Sequence, residues 1–549
     1  MVSCHKSTQY VRGENTDGLP HYLVQLTKRH ILHFEAQNSM VLLDSYDTLL
    51  YFIESQLYIA PPAKLKLEHD NHVHQKLPIP PFDVILILFT IISLSEHYLE
   101  PQLKQNNPYN PTRIDLNKRS IKILTTYVSI LRNFDINLYN QYELELLRCQ
   151  IFIALDLLTS ESRVLEYNRF RFHLRTDRGS KHNKEFLKNP YKSYVTFLDK
   201  KDKIFNNRII HLVLNQNNKL LNMVLWTLSN SLSEDITLYT DSREIWIPFM
   251  NILLDLYDLR QKYFLKNEVV KMRKSLFVQK LMQSPMSQFF SFVNRIENFS
   301  LTLTEYIFIN CEYRNDKKID SNLVKPLYYK EDELVKTFVS RFISNKKFQL
   351  QESMKLRKKM LSHCFQLLLT LPPNRTMPLL KMETEEILSS ISLILFNFTD
   401  IDQFKAFFHV YDLEMELAFM PLVIEKTINE LTADICKKPF DLVNVIISMT
   451  QFITEWINVV ENYLLTSIDK VTKQSQYLHL RKIEICLYYL FEYFELVVDV
   501  ESIKKSEIMG TIIPQLVSHQ TSMYNLKERF DIDKIDDSTG FDIIIERYQ

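Results

Sequence analysis

Glycine is nearly missing from this sequence. The chain of 549 residues contains only Gly13, Gly18, Gly179, Gly510 and Gly540, where roughly seven per cent is usual. None falls between Ser180 and Met509. Tight hairpin turns, phosphate-binding loops and nucleophile elbows use glycine, because it enters φ > 0 at no steric cost and lets backbone approach a ligand closely. A chain without it can still build helices joined by polar loops. The expectation is an all-α fold, and most enzyme classes are disfavoured at once.

Hydrophobic spacing agrees. In Leu220–Phe264 the residues Leu221, Val224, Leu225, Leu228 and Leu232 fall on one helical face. After a short polar break two further series interleave. Trp246, Met250, Leu253 and Tyr257 make one face, and Ile245, Phe249, Ile252, Leu256 and Leu259 make another. A helix apolar on two faces must be covered on both, so this hairpin belongs inside a helical stack. Asp241 and Glu244 have capping-box spacing, which predicts a helix start beside them. Pro248 predicts a start or a kink nearby, since it lacks an N–H. Trp226 and Trp246 are expected to hold the scaffold, and any uncovered apolar face of the hairpin would be a partner surface.

The chain is too long for one hydrophobic core, so two or three lobes are expected. Residues 1–20 read as a disordered arm and 21–159 as an N-terminal helical lobe, with Asp83 as the N-cap of an apolar helix. Residues 160–192 form a basic, mobile loop and 193–313 a central helical region. A charged loop over 314–337, a C-terminal helical lobe over 338–530 and an acidic tail over 531–549 complete the reading. No repeat period is visible, so the stack is irregular, HEAT-like in size but without clear repeats. Cys4, Cys149, Cys311, Cys364, Cys436 and Cys486 are scattered, mostly within apolar runs, which suits buried free thiols in a reducing compartment. The polar start has no signal-peptide core, and the longest apolar run, Val84–Ile92, is far short of the roughly 20 residues that span a bilayer.

Candidates for chemistry are few. The motifs G-K-[ST], G-x-S-x-G and H-E-x-x-H do not occur, and no cofactor site is expected. His69, Asp70, His72 and His74 could bind a metal, but a second ligand pair is not evident, and a solvated loop is the favoured reading. Glu143, Glu145, Glu385 and Glu386 read as acids on solvated helix faces. Net charge is zero and the isoelectric point is near 7.2, so any DNA contact must come from local patches. One such patch is Arg169, Arg171, Arg175, Arg178, Lys181, Lys184 and Lys188, interleaved with Phe170, Phe172 and His173. Another is Lys346, Lys347, Lys355, Arg357, Lys358 and Lys359. For both, a solvated surface is the bland reading, and weak, salt-sensitive phosphate contact the functional one.

The tail carries the sharpest short pattern. Ile543, Ile544 and Ile545 are flanked by Asp542 and Glu546, behind the acidic run Asp531–Asp537. This resembles a SUMO-interacting motif, in which an extended apolar segment adds as a strand to a sheet edge while acids face a basic surface. The competing expectation is that the isoleucines dock on the protein's own core.

Longer segments resemble one family. They include His21–Leu43, P-F-D-V-I-L-I-L-F-T at Pro81–Thr90, Tyr142–Asp156, N-P-Y-K-S-Y at Asn189–Tyr194 and M-V-L-W-T-L-S-N-S-L at Met223–Leu232. E-I-W-I-P-F-M-N-I-L-L-D-L at Glu244–Leu256, Lys274–Leu281 and Glu305–Tyr313 extend the match. The sequence resembles the fungal non-SMC element five subunit of the SMC five–six complex over about Tyr22–Leu369. The resemblance implies a nuclear, chromatin-associated, non-catalytic helical subunit that forms a heterodimer with non-SMC element six. It further implies binding to the SMC five and SMC six ATPase subunits, restraint of their ATPase, loading of the complex on DNA in repair and replication, and a link to SUMO and its ligase. The alternative is a generic helical-repeat adaptor of another nuclear or cytoplasmic assembly.

Overall fold

Helical periodicity becomes helix in most of what the computed structural model describes. It describes residues 46–58, 75, 77–80, 82–93, 113–159, 219–232, 238–267, 277–278, 281–282, 287, 303–312, 346–372, 382–411, 413–433, 439–443, 449–468, 470–497, 507–530 and 540–548. Among these there is no sheet, only an isolated bridge between Gln75 and Tyr139. The all-α, irregularly stacked expectation is borne out. The arm, the His69–His74 cluster, the basic loop with Arg169–Lys188, the charged loop and the acidic run Asp531–Asp537 lie outside the described residues.

The chain divides into two compact units, residues 1–289 with 324–343 and residues 290–323 with 344–549. Residues 303–312, grouped above with the central region, pack in the second unit.

The first unit contains α1 (Tyr46–Leu57), α2 (Phe82–Ser93), α3 (Arg113–Asn133), α4 (Gln141–Thr159), α5 (Lys219–Asn230) and α6 (Leu238–Asn267). Helix α2 packs on α3, α4 and α6, and Val84, Ile85, Leu88, Phe89, Ile91 and Ile92 are fully buried. Each large apolar side chain so covered contributes roughly 1.5–3 kcal/mol. Its first backbone N–H, at Phe82, donates to Gln150 Oε1 at 2.9 Å. The cap is thus a side chain of α4. Asp83 is not the N-cap expected above, because the helix has already begun at Phe82.

The hairpin expectation holds where it concerned burial. Met223–Leu228 are buried, as are Trp246, Phe249, Met250, Ile252, Leu253, Leu256 and Tyr257. The Trp226 and Trp246 rings meet edge to face at 6.4 Å, and Phe249 bridges Trp246 to Phe89 at 5.7 Å on each side. No apolar face of the hairpin is left bare among these residues. The start of α6 differs from expectation. It lies at Leu238, so Asp241 and Glu244 fall inside the first turns and Pro248 lies within the helix. Helix α6 packs against α3 and α2.

The second unit contains α7 (Leu303–Ile307), α8 (Lys346–Thr370), α9 (Thr384–Asn397), α10 (Ile401–Phe408), α11 (Leu413–Glu416) and α12 (Met420–Thr432). Then come α13 (Met449–Val459), a π-helical turn Val460–Leu465 with a last α-turn Thr466–Ile468, α14 (Gln474–Val497), α15 (Glu507–Arg529) and α16 (Gly540–Tyr548). Helix α12 lies against α9 and α14, and α14 also meets α10 and α16. The inner face of α14 is aromatic. Phe494 stacks on Phe452 at 4.2 Å, and Phe491 packs against Trp456 at 5.3 Å.

Candidate functional site

A helical stack poor in glycine has a problem at its helix ends. The last carbonyls of a helix have no intrahelical partner, and glycine in the left-handed conformation is the usual way to close them. Among the described residues, that conformation is taken by Phe134 after α3 (φ 43°) and Asn310 after α7 (φ 59°). Helices α9 and α10 end instead in extended residues, Phe398 and His409.

Buried cations from neighbouring helices meet the exposed carbonyls. Lys482 Nζ of α14 donates to the carbonyls of Phe396 at 2.7 Å and Phe398 at 2.6 Å, at the end of α9. Lys358 Nζ of α8 donates to the His409 carbonyl at the end of α10 and lies 2.9 Å from Glu416 Oε2. Arg357 of α8 donates to the Ile307 carbonyl at the end of α7. A cation at a helix C-terminus also complements the helix dipole.

This corrects the reading of the second basic patch. Arg357 and Lys358 are fully buried, so they are neither a solvated face nor available to phosphate. Lys355 and Lys359 stay half-exposed, and the side chains of Lys346 and Lys347 lie outside the described residues. In sequence the six read as one stripe, but residues adjacent along a helix point in directions about 100° apart. Burial lowers the pKa of Lys358 to about 8, with Glu416 opposing the fall. The Tyr493 hydroxyl donates to the same Glu416 oxygen at 2.8 Å.

A second buried charge group lies on α14. Arg481 donates to Glu484 at 2.7 Å, Gln520 of α15 donates to the other carboxylate oxygen at 2.7 Å, and His519 Nε2 stands 3.9 Å away. Burial alone would raise the Glu484 pKa, but the Arg481 guanidinium and His519 outweigh it and bring it to about 2. Both groups lie inside the helix scaffold, where His519 Nδ1 and Nε2 are buried without a hydrogen-bond partner. Glu143 accepts from the Leu77 N–H at 3.3 Å and Glu386 caps α9, so two of the four acids read as solvated also serve helix and loop ends.

Cys149, Cys311, Cys364 and Cys486 are free and buried, and burial pushes the Cys311 thiol up to about 11. Such thiols are poor nucleophiles. Among the described residues no group of three His, Cys, Asp or Glu is placed to hold a metal, and no helix is long and apolar enough to cross a membrane.

The residues of the tail motif form α16, not an extended segment. Phe541, Ile544 and Ile545 are buried, while Ile543 is 41% exposed. Phe541 packs on Trp456 and on His519, at 5.8 Å each. Tyr548 meets Phe491 edge-on at 5.9 Å, and its hydroxyl donates to Glu495 at 2.5 Å. Arg547 pairs with the other Glu495 oxygen. Spacing alone could have shown this amphipathicity, since Phe541, Ile544, Ile545 and Tyr548 follow the i, i+3, i+4, i+7 pattern.

The family described as Nse5, DNA repair proteins Nse5 and Nse6, matches residues 1–500. The Saccharomyces cerevisiae protein named non-structural maintenance of chromosome element 5 is 37% identical over 500 residues, covering 88% of this chain and 87% of that protein. The similarity therefore runs well past Leu369, where it stopped being legible in the residues.

Proposed function

The chain belongs to the Nse5 family of DNA repair proteins, and on that premise we propose that it is a non-catalytic subunit that pairs with Nse6 and restrains the SMC ATPase while the complex loads on DNA. Family membership makes it a DNA repair subunit of the SMC five–six complex, with a nuclear role. The single observation that carries the finer reading is this similarity along nearly the whole chain, in a family whose description groups Nse5 with Nse6. The interior supports a scaffold. Its buried charges close helix ends and pair with each other.

The test is reconstitution. Purified chain, Nse6 and the SMC five–SMC six pair should elute together, and ATP hydrolysis by the SMC pair should fall when this chain and Nse6 are added. Failure to co-elute, or hydrolysis unchanged by saturating amounts, overturns the reading.

Two contacts extend the proposal. The cluster Arg169, Arg171, Arg175, Arg178, Lys181 and Lys184 makes weak phosphate contacts that help hold the complex on DNA; its support is charge density with interleaved aromatics. Chromatin association follows from that contact and from the SMC partners. The segment Asp542–Glu546 binds SUMO, supported by three β-branched residues between acids.

A further inference from the structure

Helix α16 contains the tail motif Asp542–Glu546, and a helix and an added strand exclude each other there. As a helix its residues bury Phe541, Ile544 and Ile545 and use their backbone groups inside the helix. As a strand added to a sheet edge they would need those backbone N–H and C=O groups free, with the isoleucine side chains facing the partner. A helix this short does not persist alone in water, where helices under about 12 residues are marginal. Docking on α14 and α15 therefore maintains the helix, and loss of docking removes the packing that holds it helical.

The seat is specific. A Cβ on Gly540 would lie 2.0 Å from Cγ of Tyr488, so only glycine lets the start of α16 rest on that ring. At the far end, Glu495 holds both Arg547 and the Tyr548 hydroxyl. Only Ile543 of the three isoleucines reaches solvent.

We propose that α16 is a sheathed binding segment: docked, it hides Ile544 and Ile545, and released, it adds as a strand to a partner with an exposed sheet edge and a basic flank. This rests on the SUMO reading of Asp542–Glu546, with SUMO as the partner of that chemistry. Undocking is the regulated step. The apparent affinity of the whole chain is the intrinsic affinity of the extended tail reduced by the fraction undocked.

SUMO titrations separate the two claims. The ligands are a peptide of Asp531–Gln549, the full chain, and full-length Gly540→Val and Arg547→Glu. The first variant clashes with Tyr488; the second opposes like charges at Glu495 on a partly exposed surface, so it tests release even where the first misfolds. The peptide should bind about tenfold or more tighter than the full chain, and the variants should move toward the peptide. A peptide that does not bind SUMO removes the motif reading and this inference with it. Equal binding by peptide and full chain overturns the sheathing alone. So does a tighter peptide whose advantage neither soluble variant recovers.

Discussion

Lys358 Nζ and Glu416 Oε2 stand 2.9 Å apart, with side chains 0% and 5% exposed. The pair ties α8 to α11 and, through the His409 carbonyl, to the end of α10. Removing one partner strands the other as a buried charge. Lys358→Met and Glu416→Gln should each cost roughly 3–5 kcal/mol of unfolding free energy. The double variant should cost clearly less than the sum, as a double-mutant cycle in denaturant would show. Strict additivity would mean that the two charges do not depend on each other.

Acid should find Glu484. Its folded pKa is about 2, against 4.5 for the ordinary carboxyl. A carboxylate with a depressed folded pKa contributes stability that is complete above its unfolded pKa and is lost as pH falls toward the folded one. The contribution should therefore vanish between pH 4.5 and 2, on the order of 3 kcal/mol. Glu484→Gln should be less stable at neutral pH, because Arg481 loses its partner, and should show a shallower loss in that window. Parallel pH curves for the two proteins would rule this linkage out.

Gly510 and Gly540, the glycines in the described helices, predict opposite signs. A Cβ at Gly510 meets nothing within 4 Å, and glycine within a helix costs roughly 0.5–1 kcal/mol relative to alanine. Gly510→Ala should raise stability by about that much. Gly540→Ala drives a methyl into Tyr488 and should loosen α16, read as faster proteolysis of the tail with little change in the global melt.

Trp246 is fully buried between Trp226 and Phe249. Trp246→Ala should cost about 3–5 kcal/mol, since a ring-sized cavity opens where neighbouring helices cannot collapse. Thermal melting would check it, and a near-neutral result would mean that the hairpin is not the core of its unit.

For the basic loop, reversing Arg171, Arg175 and Arg178 to Glu should weaken duplex DNA binding mainly at low salt and flatten its salt dependence. Equal affinity at every ionic strength would remove the loop from DNA contact.

Helix content, the burial of Met223–Leu228 and of Trp246, Phe249, Met250, Ile252, Leu253, Leu256 and Tyr257, and the place of Trp226 and Trp246 in that core were legible in the residues, because side-chain periodicity is a local property. Helix ends were less legible. The start of α6 moved upstream of its capping signals, and the cap of α2 came from Gln150, which is 68 residues away.

By itself the sequence determined the all-α fold seen among the described residues, and its longest segments pointed to the family. Tertiary structure alone decided the fate of individual charges and of the tail. Lys482 closes a helix more than 80 residues before it, and Lys358 and Arg357 turn inward while Lys355 and Lys359 do not. The triple isoleucine fits strand and helix alike, and Trp456, Tyr488 and Glu495 select the helix by packing against it. Periodicity records which face a segment buries, whereas the partner that covers it, and the carbonyl that a cation reaches, depend on residues far away in the chain.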